Sequence, residues 1–566
     1  MADLIRDAPV GQLIRLMTKN RYLQYAEEKA DFTMPTRWSR KSSQGFDSAL
    51  SSPIRRPSSA RMGDGFDSPV ELRGFEAALN MSGLDSDRRP ISYTPSTRHL
   101  AADGSITVDW YEINDADNPQ NWSDGKRAVV TLIICLYTFV VYTSSAIYTS
   151  STQGVMEEFK VSQLEATLGL SLYVLGYGVG PLLFSPLSEI PSIGRNPVYF
   201  LTMTCFVLIS VPTAFAPTFP SLLVFRFLQG FFGSPCLASG GASLGDMYSI
   251  ATLPYAMLAW VSASYCGPAL GPLLSGFSVP AMNWRWSLYE SIWASVPVLL
   301  LMLLFLPETS SETILLRRAR RLSDLTTDRF VTAGEVEKSN ITAAAILLDA
   351  LIKPIEITFK DPAVLFVQIY TSIIYGIYYS FFEVFPLVYP VYYGMNMGQL
   401  GLVFLCILVA CILGVVGYVG CIWYMGRRGF ADAEKRLLPA LPFSFGPTIG
   451  LFVFAWTARA SIHWIVPTMG IAIYGSSVFI VFQCLFIYIP LSYPQYAASL
   501  FAANDFFRSA LACGSVLVAH PLFARLGVAR GVSLLGGFSF MGIAGIWLLY
   551  FYGAKMRSLS KFATST

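Results

Sequence analysis

The chain has 566 residues, 53% of them hydrophobic and only 14% charged, with a formal net charge of +3. Soluble domains carry about 25% charged residues, so the composition excludes an ordinary water-soluble fold. The small net charge gives no ground for a nucleic-acid partner. The deficit is uneven, because residues 1–125 are polar and most of the remainder is apolar.

The polar region has two parts. Residues 2–24 interleave Leu4, Ile5, Leu13, Ile14, Leu16 and Met17 with Arg6, Arg15, Lys19 and Arg21. Such a basic amphipathic stretch either lies on a lipid surface or stays a weakly structured tail. Residues 35–105 are rich in Ser, Pro, Arg and Asp and read as disordered. The opening MADLIRDAPV has no apolar core, so the expectation is that the first span serves as the insertion signal.

Apolar segments long enough to cross a bilayer then follow in series. They fall at 128–148, 164–188, 198–217, 220–244, 254–277, 287–306, 363–388, 398–424, 438–457, 464–489, 496–521 and 531–552. The expected fold is an all-α integral membrane protein with twelve transmembrane helices in two six-helix halves. The expected organisation is a tail at 1–125, a first half at 126–308, a central loop at 309–361, a second half at 362–553 and a tail at 554–566. Basic residues crowd alternate loops: Lys126 and Arg127, Arg195, the run Arg317 to Arg321, Arg427 and Arg428, and Lys555 to Lys561. The positive-inside rule therefore places both termini in the cytoplasm.

The nine cysteines all fall within these segments and none forms a CxxC pair. They read as small apolar packing residues, with neither a disulfide framework nor a metal site implied. His99, His463 and His520 are scattered, and no Walker, HExxH or GxSxG motif occurs. The sequence thus calls for no cofactor, no metal and no enzymatic activity.

Span four carries an arginine at a depth where ionisable groups are expensive and face a pathway or a partner. Arg226 lies three residues before Gln229 on the same helical face. It reads either as a group that tunes a nearby carboxylate or as a hydrogen-bond donor to backbone carbonyls of span one. In span five Gly267-Pro268, Gly271-Pro272 and Gly276 recur at short spacing on one face. Glycine permits close helix approach and proline removes a backbone bond.

These segments resemble a known family. SPLSEIPSIGRNPVYF (185–200) is similar to the loop signature of the major facilitator superfamily between spans two and three. RFLQGFFGSP (226–235) resembles its span-four motif, and GPALGPLLSG (267–276) its span-five antiporter motif. DADNPQNWS, WRW, LPET and AANDFFRS are similar to segments of fungal twelve-span drug:proton antiporters, over roughly residues 108–558. The loop departs from the superfamily pattern, with Ser185 for the first glycine, Glu189 for the aspartate and Ile190 for the first arginine. In the second half Gly426-Arg427-Arg428 alone resembles it.

The resemblance implies two halves that rock about a central site. It makes Glu189, Arg195, Arg226, Gln229, Gly230 and Asp246 candidate gating and coupling residues. It makes Gly267, Pro268, Gly271, Pro272 and Gly276 a close-packed seal at the interface between the halves. Proton coupling needs a carboxylate, and span one has none. The candidates are Asp246, Glu290, Glu383 and Asp505. Asp505 precedes Arg508 by one helical turn, so the two either pair with each other or serve transport, beside Asn504. Glu383 sits among Phe381, Phe382 and Phe385 and is the first choice for meeting a cationic substrate. Tyr378 and its neighbours either line an apolar cavity or face lipid.

The resulting expectation is a monomeric, proton-coupled exporter of toxic small molecules in the plasma or vacuolar membrane, with protons, lipids and small molecules as partners. A polyamine or metabolite exporter on the same frame, and a non-transporting membrane sensor, are the alternatives.

Overall fold

The computed structural model describes residues 2–34, 38, 105–249, 252–326, 328–337, 343–426, 434–493 and 497–560. The first six spans are α1 (Asp124–Ala146), α2 (Gln163–Glu189), α3 (Arg195–Ala214), α4 (Phe219–Gly233, continued by Pro235–Met247), α5 (Leu253–Ala281) and α6 (Trp286–Phe305). The second set is α7 (Pro362–Tyr393), α8 (Met397–Val403, continued by Leu405–Gly426), α9 (Gly446–Thr457, preceded by Ala440–Phe443) and α10 (Ile465–Ser492). The helix Ala497–Leu559 breaks at Gly527, whose φ of 75° is left-handed, into α11 (497–526) and α12 (528–559). Among the described residues ten helices are long and apolar enough to cross a membrane, the longest being Ser499–Ser558. Two spans from that helix, together with α5, are consistent with twelve.

Local chemistry explains where the spans begin. Ser162 and Glu165 form a capping box at α2, Thr218 and Ser221 at α4, and Asn396 and Gln399 at α8. Each pair satisfies amide donors that the first helical turn leaves unpaired. Asp361 caps α7 by accepting from the Ala363 amide at 3.0 Å, and it also accepts from the Tyr493 hydroxyl at 2.6 Å. Across the two halves, α2 lies on α11 and α5 lies on α8.

One face of the bundle carries the ends of the chain and a small folded layer. The start of the polar region is helical, where the sequence left a lipid-surface stretch or a weakly structured tail open. Ala2–Asp7 and Pro9–Met17 are helices that touch α3 and α6, while 39–104 lie outside the described residues. The helix Ser311–Leu325 follows α6. Its Arg318 is fully buried and meets Asp115 and Asp117, each at 2.7 Å, with its guanidinium 4.1 Å from the Tyr111 ring. Arg15 pairs with Glu28 at 2.6 Å, and Arg6 meets Asp117 at 3.2 Å. Two short strands, β1 (Ile106–Val108) and β2 (Phe330–Thr332), pair in parallel over Trp38, Leu322 and Phe330. The helix Ala343–Lys360 reaches both halves, touching α2, α7 and the helix Ala497–Leu559.

Candidate substrate pathway and its braces

Arg226 is completely buried in α4 and all of its hydrogen bonds stay within the first half. Nε donates to the Gly169 carbonyl at 3.0 Å, Nη1 to the Ser144 carbonyl at 3.0 Å and Nη2 to the Ser145 carbonyl at 3.1 Å. Nη1 also reaches Gln229 Oε1 at 3.2 Å, and Gln229 in turn donates to Ser210 Oγ at 2.7 Å. The Tyr173 ring covers the guanidinium at 4.3 Å. These bonds tie three helices together, with the guanidinium donating to backbone carbonyls of α1 and α2. Gly230, the residue after Gln229, is buried against the Tyr173 backbone of α2.

The loop between α2 and α3 is braced within the same half. Arg195 Nε meets Asp246 Oδ2 at 2.7 Å, joining α3 to the end of α4, while Glu189 is exposed at the end of α2. The ion pair of Arg195 therefore links two helices of the same half. Glu308, in the LPET segment, is the residue that sequence reasoning passed over. Its buried carboxylate accepts from the backbone amides of Arg195, Thr309 and Ser310 at 3.0–3.1 Å. Arg317 meets it at 3.4 Å. A carboxylate at the start of α3 is favoured by the helix dipole and its free amides. Gly194, with φ of +85°, brings the chain so near that a Cβ there would fall 2.3 Å from Glu308 Oε2.

The Gly-Pro face of α5 divides its work, which corrects the expectation that all of it seals the interface. A Cβ on Gly267 would fall 2.7 Å from Tyr142 Cβ, and one on Gly271 would fall 2.7 Å from the Ile147 amide, both on the α1 side of the same half. Only the far end crosses between halves. A Cβ on Gly276 would fall 2.8 Å from the Met397 carbonyl of α8, and one on Gly401 would fall 2.7 Å from the Pro272 carbonyl. Pro268 and Pro272 are both buried inside the helix.

Polar side chains meet across the halves at the centre. Arg508 of α11 donates from Nη2 to the Tyr142 hydroxyl of α1 at 2.8 Å and from Nε to Asp505 at 2.8 Å. The Tyr177 hydroxyl of α2 meets those of Tyr375 and Tyr379 of α7 at 2.6 and 2.9 Å. Tyr378 of α7 donates to the Tyr265 carbonyl at 3.2 Å, and Tyr265 donates to the Gly475 carbonyl of α10 at 3.0 Å. Asn504 donates to Gln368 Oε1 at 2.6 Å and Thr371 Oγ1 at 2.7 Å, both on α7. Tyr142, Tyr265, Tyr375, Tyr378, Phe482 and Arg508 line a cavity of about 30 Å³, room for a water or two and no more. The centre is closed in this state. A wider depression of about 1080 Å³ opens at the opposite face from the chain ends, around Glu157, Gly276, Trp284 and Asn396.

Of the candidate acids, Asp505 is brought to the centre and pairs with Arg508. Glu383 is half-buried on α7 with no hydrogen bond or ion pair among the described residues, and it does not line the central cavity. Glu290 is half-buried on α6, also away from that cavity. Tyr378 does line it. Arg427 and Arg428 lie outside the described residues.

The model of the Major Facilitator Superfamily matches residues 134–516. The chain belongs to this superfamily. Like the other members it is a transporter, not an enzyme. It is 41% identical, over the full length of both chains, to the MFS-type transporter pyvG of Aspergillus violaceofuscus. It is 37% identical to fluconazole resistance protein 1 of Saccharomyces cerevisiae, covering 86% of this chain and 89% of that protein. It is 31% identical to the cycloheximide resistance protein of Candida maltosa over the full length of both. Among solved structures it resembles the proton:xylose symporter XylE, with a TM-score of 0.54 at 13% identity over 76% of this chain and 96% of that one. A peptide transporter POT gives 0.55 at 14% identity, over 80% of this chain and 100% of that one. At such identities the likeness speaks for the fold alone.

Proposed function

We propose that this protein exports toxic small organic molecules across the plasma membrane in exchange for protons, as a monomer with both termini in the cytoplasm. The observation that carries the reading is its similarity over most or all of its length to proteins named for resistance to fluconazole and cycloheximide. The closed, tyrosine-lined centre between two helical halves supports it, since alternating access needs contacts there that form and break. Lys126, Arg195 and Lys555 on the face that bears the termini support its cytoplasmic placement. Among the described residues lining the central cavity the charged side chain is Arg508, a cation, which weighs against a polyamine exporter.

The test is expression of the full chain in a pump-deficient yeast, with growth measured across a panel of antifungal compounds. Export requires raised resistance to at least one of them and loss of that compound's efflux when a protonophore is added at constant ATP. Unchanged sensitivity to the whole panel would overturn the export reading, and efflux that survives the protonophore would overturn the proton coupling.

A further inference from the structure

We infer that the site around Arg508, once the halves part and the small closed cavity widens, selects uncharged, flat aromatic compounds carrying a hydrogen-bond acceptor and turns away permanent cations. The inference rests on the export reading for its physiological meaning and names the substrate class of that same site.

Charge comes first. Arg508 is the one charged residue among those lining the cavity, and Asp505, 1% exposed, neutralises it from behind. The pair leaves the site with no net charge. A cation entering it meets a guanidinium and no available carboxylate. An anion competes with Asp505 for the same arginine. Either ion arrives as an unpaired buried charge, the costliest thing to place in a closed apolar chamber.

The aromatic walls do not rescue a cation. Tyrosine faces attract positive charge through their quadrupole, yet the Arg508 guanidinium already stands 4.9 Å from the Tyr375 ring and 6.0 Å from the Phe486 ring. Those two faces are thus already beside a positive charge. Flat uncharged rings remain welcome, because they stack on the other wall surfaces without introducing charge.

The polar contact follows from an inventory of donors. Tyr265 and Tyr378 direct their hydroxyl protons to backbone carbonyls, and Ser264 donates to the Val261 carbonyl. Arg508 uses Nε and Nη2 on Asp505 and Tyr142. No hydrogen bond is made by its Nη1 among the described residues. A carbonyl or ring nitrogen on the ligand would accept from that group. When the halves part, the Tyr142 contact is lost too, and a second N–H of the same guanidinium becomes available to the ligand.

The test compares three tricyclic probes of one shape: acridone (uncharged, with a carbonyl), anthracene (uncharged, no acceptor) and N-methylacridinium (a permanent cation). Binding of each to the full chain in lipid nanodiscs is followed by its fluorescence, with empty nanodiscs as the blank. Acridone is expected to bind at least about tenfold more tightly than either of the others, a gap of about 1.4 kcal/mol. Arg508→Met should abolish that preference and, by leaving Asp505 unpaired, favour N-methylacridinium. The double variant Arg508→Met/Asp505→Asn should bind the three alike. N-methylacridinium binding as well as acridone to the unmodified chain would overturn the inference, as would an acridone preference that persists in folded Arg508→Met. The unmodified chain decides the matter even if the variants do not fold. A chain that confers no resistance in yeast but keeps the acridone preference would overturn export and leave the ligand class standing.

Discussion

Arg508 and Tyr142 are 366 residues apart in sequence and 2.8 Å apart in space, each on a different half of the molecule. Their hydrogen bond bridges the two halves where the centre is closed. A hydrogen bond to a charged group contributes about 1.5–3 kcal/mol, enough to shift a two-state balance tenfold or more. Tyr142→Phe should therefore populate an open arrangement. Spin labels placed at the ends of α5 and α8 should show a second, longer distance in the variant. An unchanged distance distribution would mean that the contact does not hold the closed state.

Arg226 should behave as a structural tie. Arg226→Ala leaves the carbonyls of Gly169, Ser144 and Ser145 without their donor in a dry interior. Each unsatisfied buried acceptor costs about 1–3 kcal/mol. The expected result is a clear fall in melting temperature and folded yield in detergent, with a partial recovery in Arg226→Lys. A variant that folds and melts normally yet transports nothing would return Arg226 to a coupling role.

Gly271 and Gly276 lie on one helix but should fail differently. A leucine at Gly271 meets α1 within its own half, so destabilisation of the protein should dominate. A leucine at Gly276 meets the Met397 carbonyl of α8 and holds two rigid halves apart. It should leave the melting temperature nearly unchanged while raising thiol-reagent access to a cysteine placed at Asn283, beside the outer depression. Equal destabilisation by both would show that the α5–α8 contact is permanent packing.

The folded layer at the chain ends should respond to pH in two directions. Burial pushes the Asp115 carboxyl up, but hydrogen bonds and charge from Arg318 outweigh it and hold the group below its usual range. Glu28 is lowered in the same way against its own burial, by Arg15 and the Tyr25 amide. Their stabilisation is complete above the ordinary carboxylate values of 3.8 and 4.5 and is lost as pH falls through the lower folded values. Tyr25 is pushed up from 10.0 to about 12, chiefly by burial, so its contribution holds below pH 10 and is lost as pH rises toward 12. A spin label at the exposed Gln24 should be immobile near neutral pH and mobile at both extremes. Arg318→Ala should free it at every pH, since removing one partner of a buried ion pair costs about 3–5 kcal/mol.

Much of this molecule is legible from local pattern. Hydropathy locates the spans because the bilayer demands long apolar helices. Helical spacing alone pairs Arg226 with Gln229 and Asp505 with Arg508, and the structure makes both contacts. Relationships between distant segments carry no such signal. Nothing near Tyr142 foretells Arg508, and nothing near Arg195 foretells Glu308. Glu383 has aromatic neighbours in sequence, but on a helix those neighbours point in several directions. The Gly-Pro repeat was visible, whereas its division between α1 and α8 depends on how α5 crosses each of them.

The pairing of β1 with β2 has a mechanical result. It fastens the stretch ahead of α1 to the stretch beyond α6, with Ile106 opposite Phe330 and Val108 opposite Thr332. The segment from Ser311 to Thr332 therefore travels with the first half as cargo on a rigid body. The connection onward runs through the helix Ala343–Lys360, which touches α2 of the first half and α7 of the second. Three residue pairs far from the substrate thus settle which half the front of the central loop belongs to.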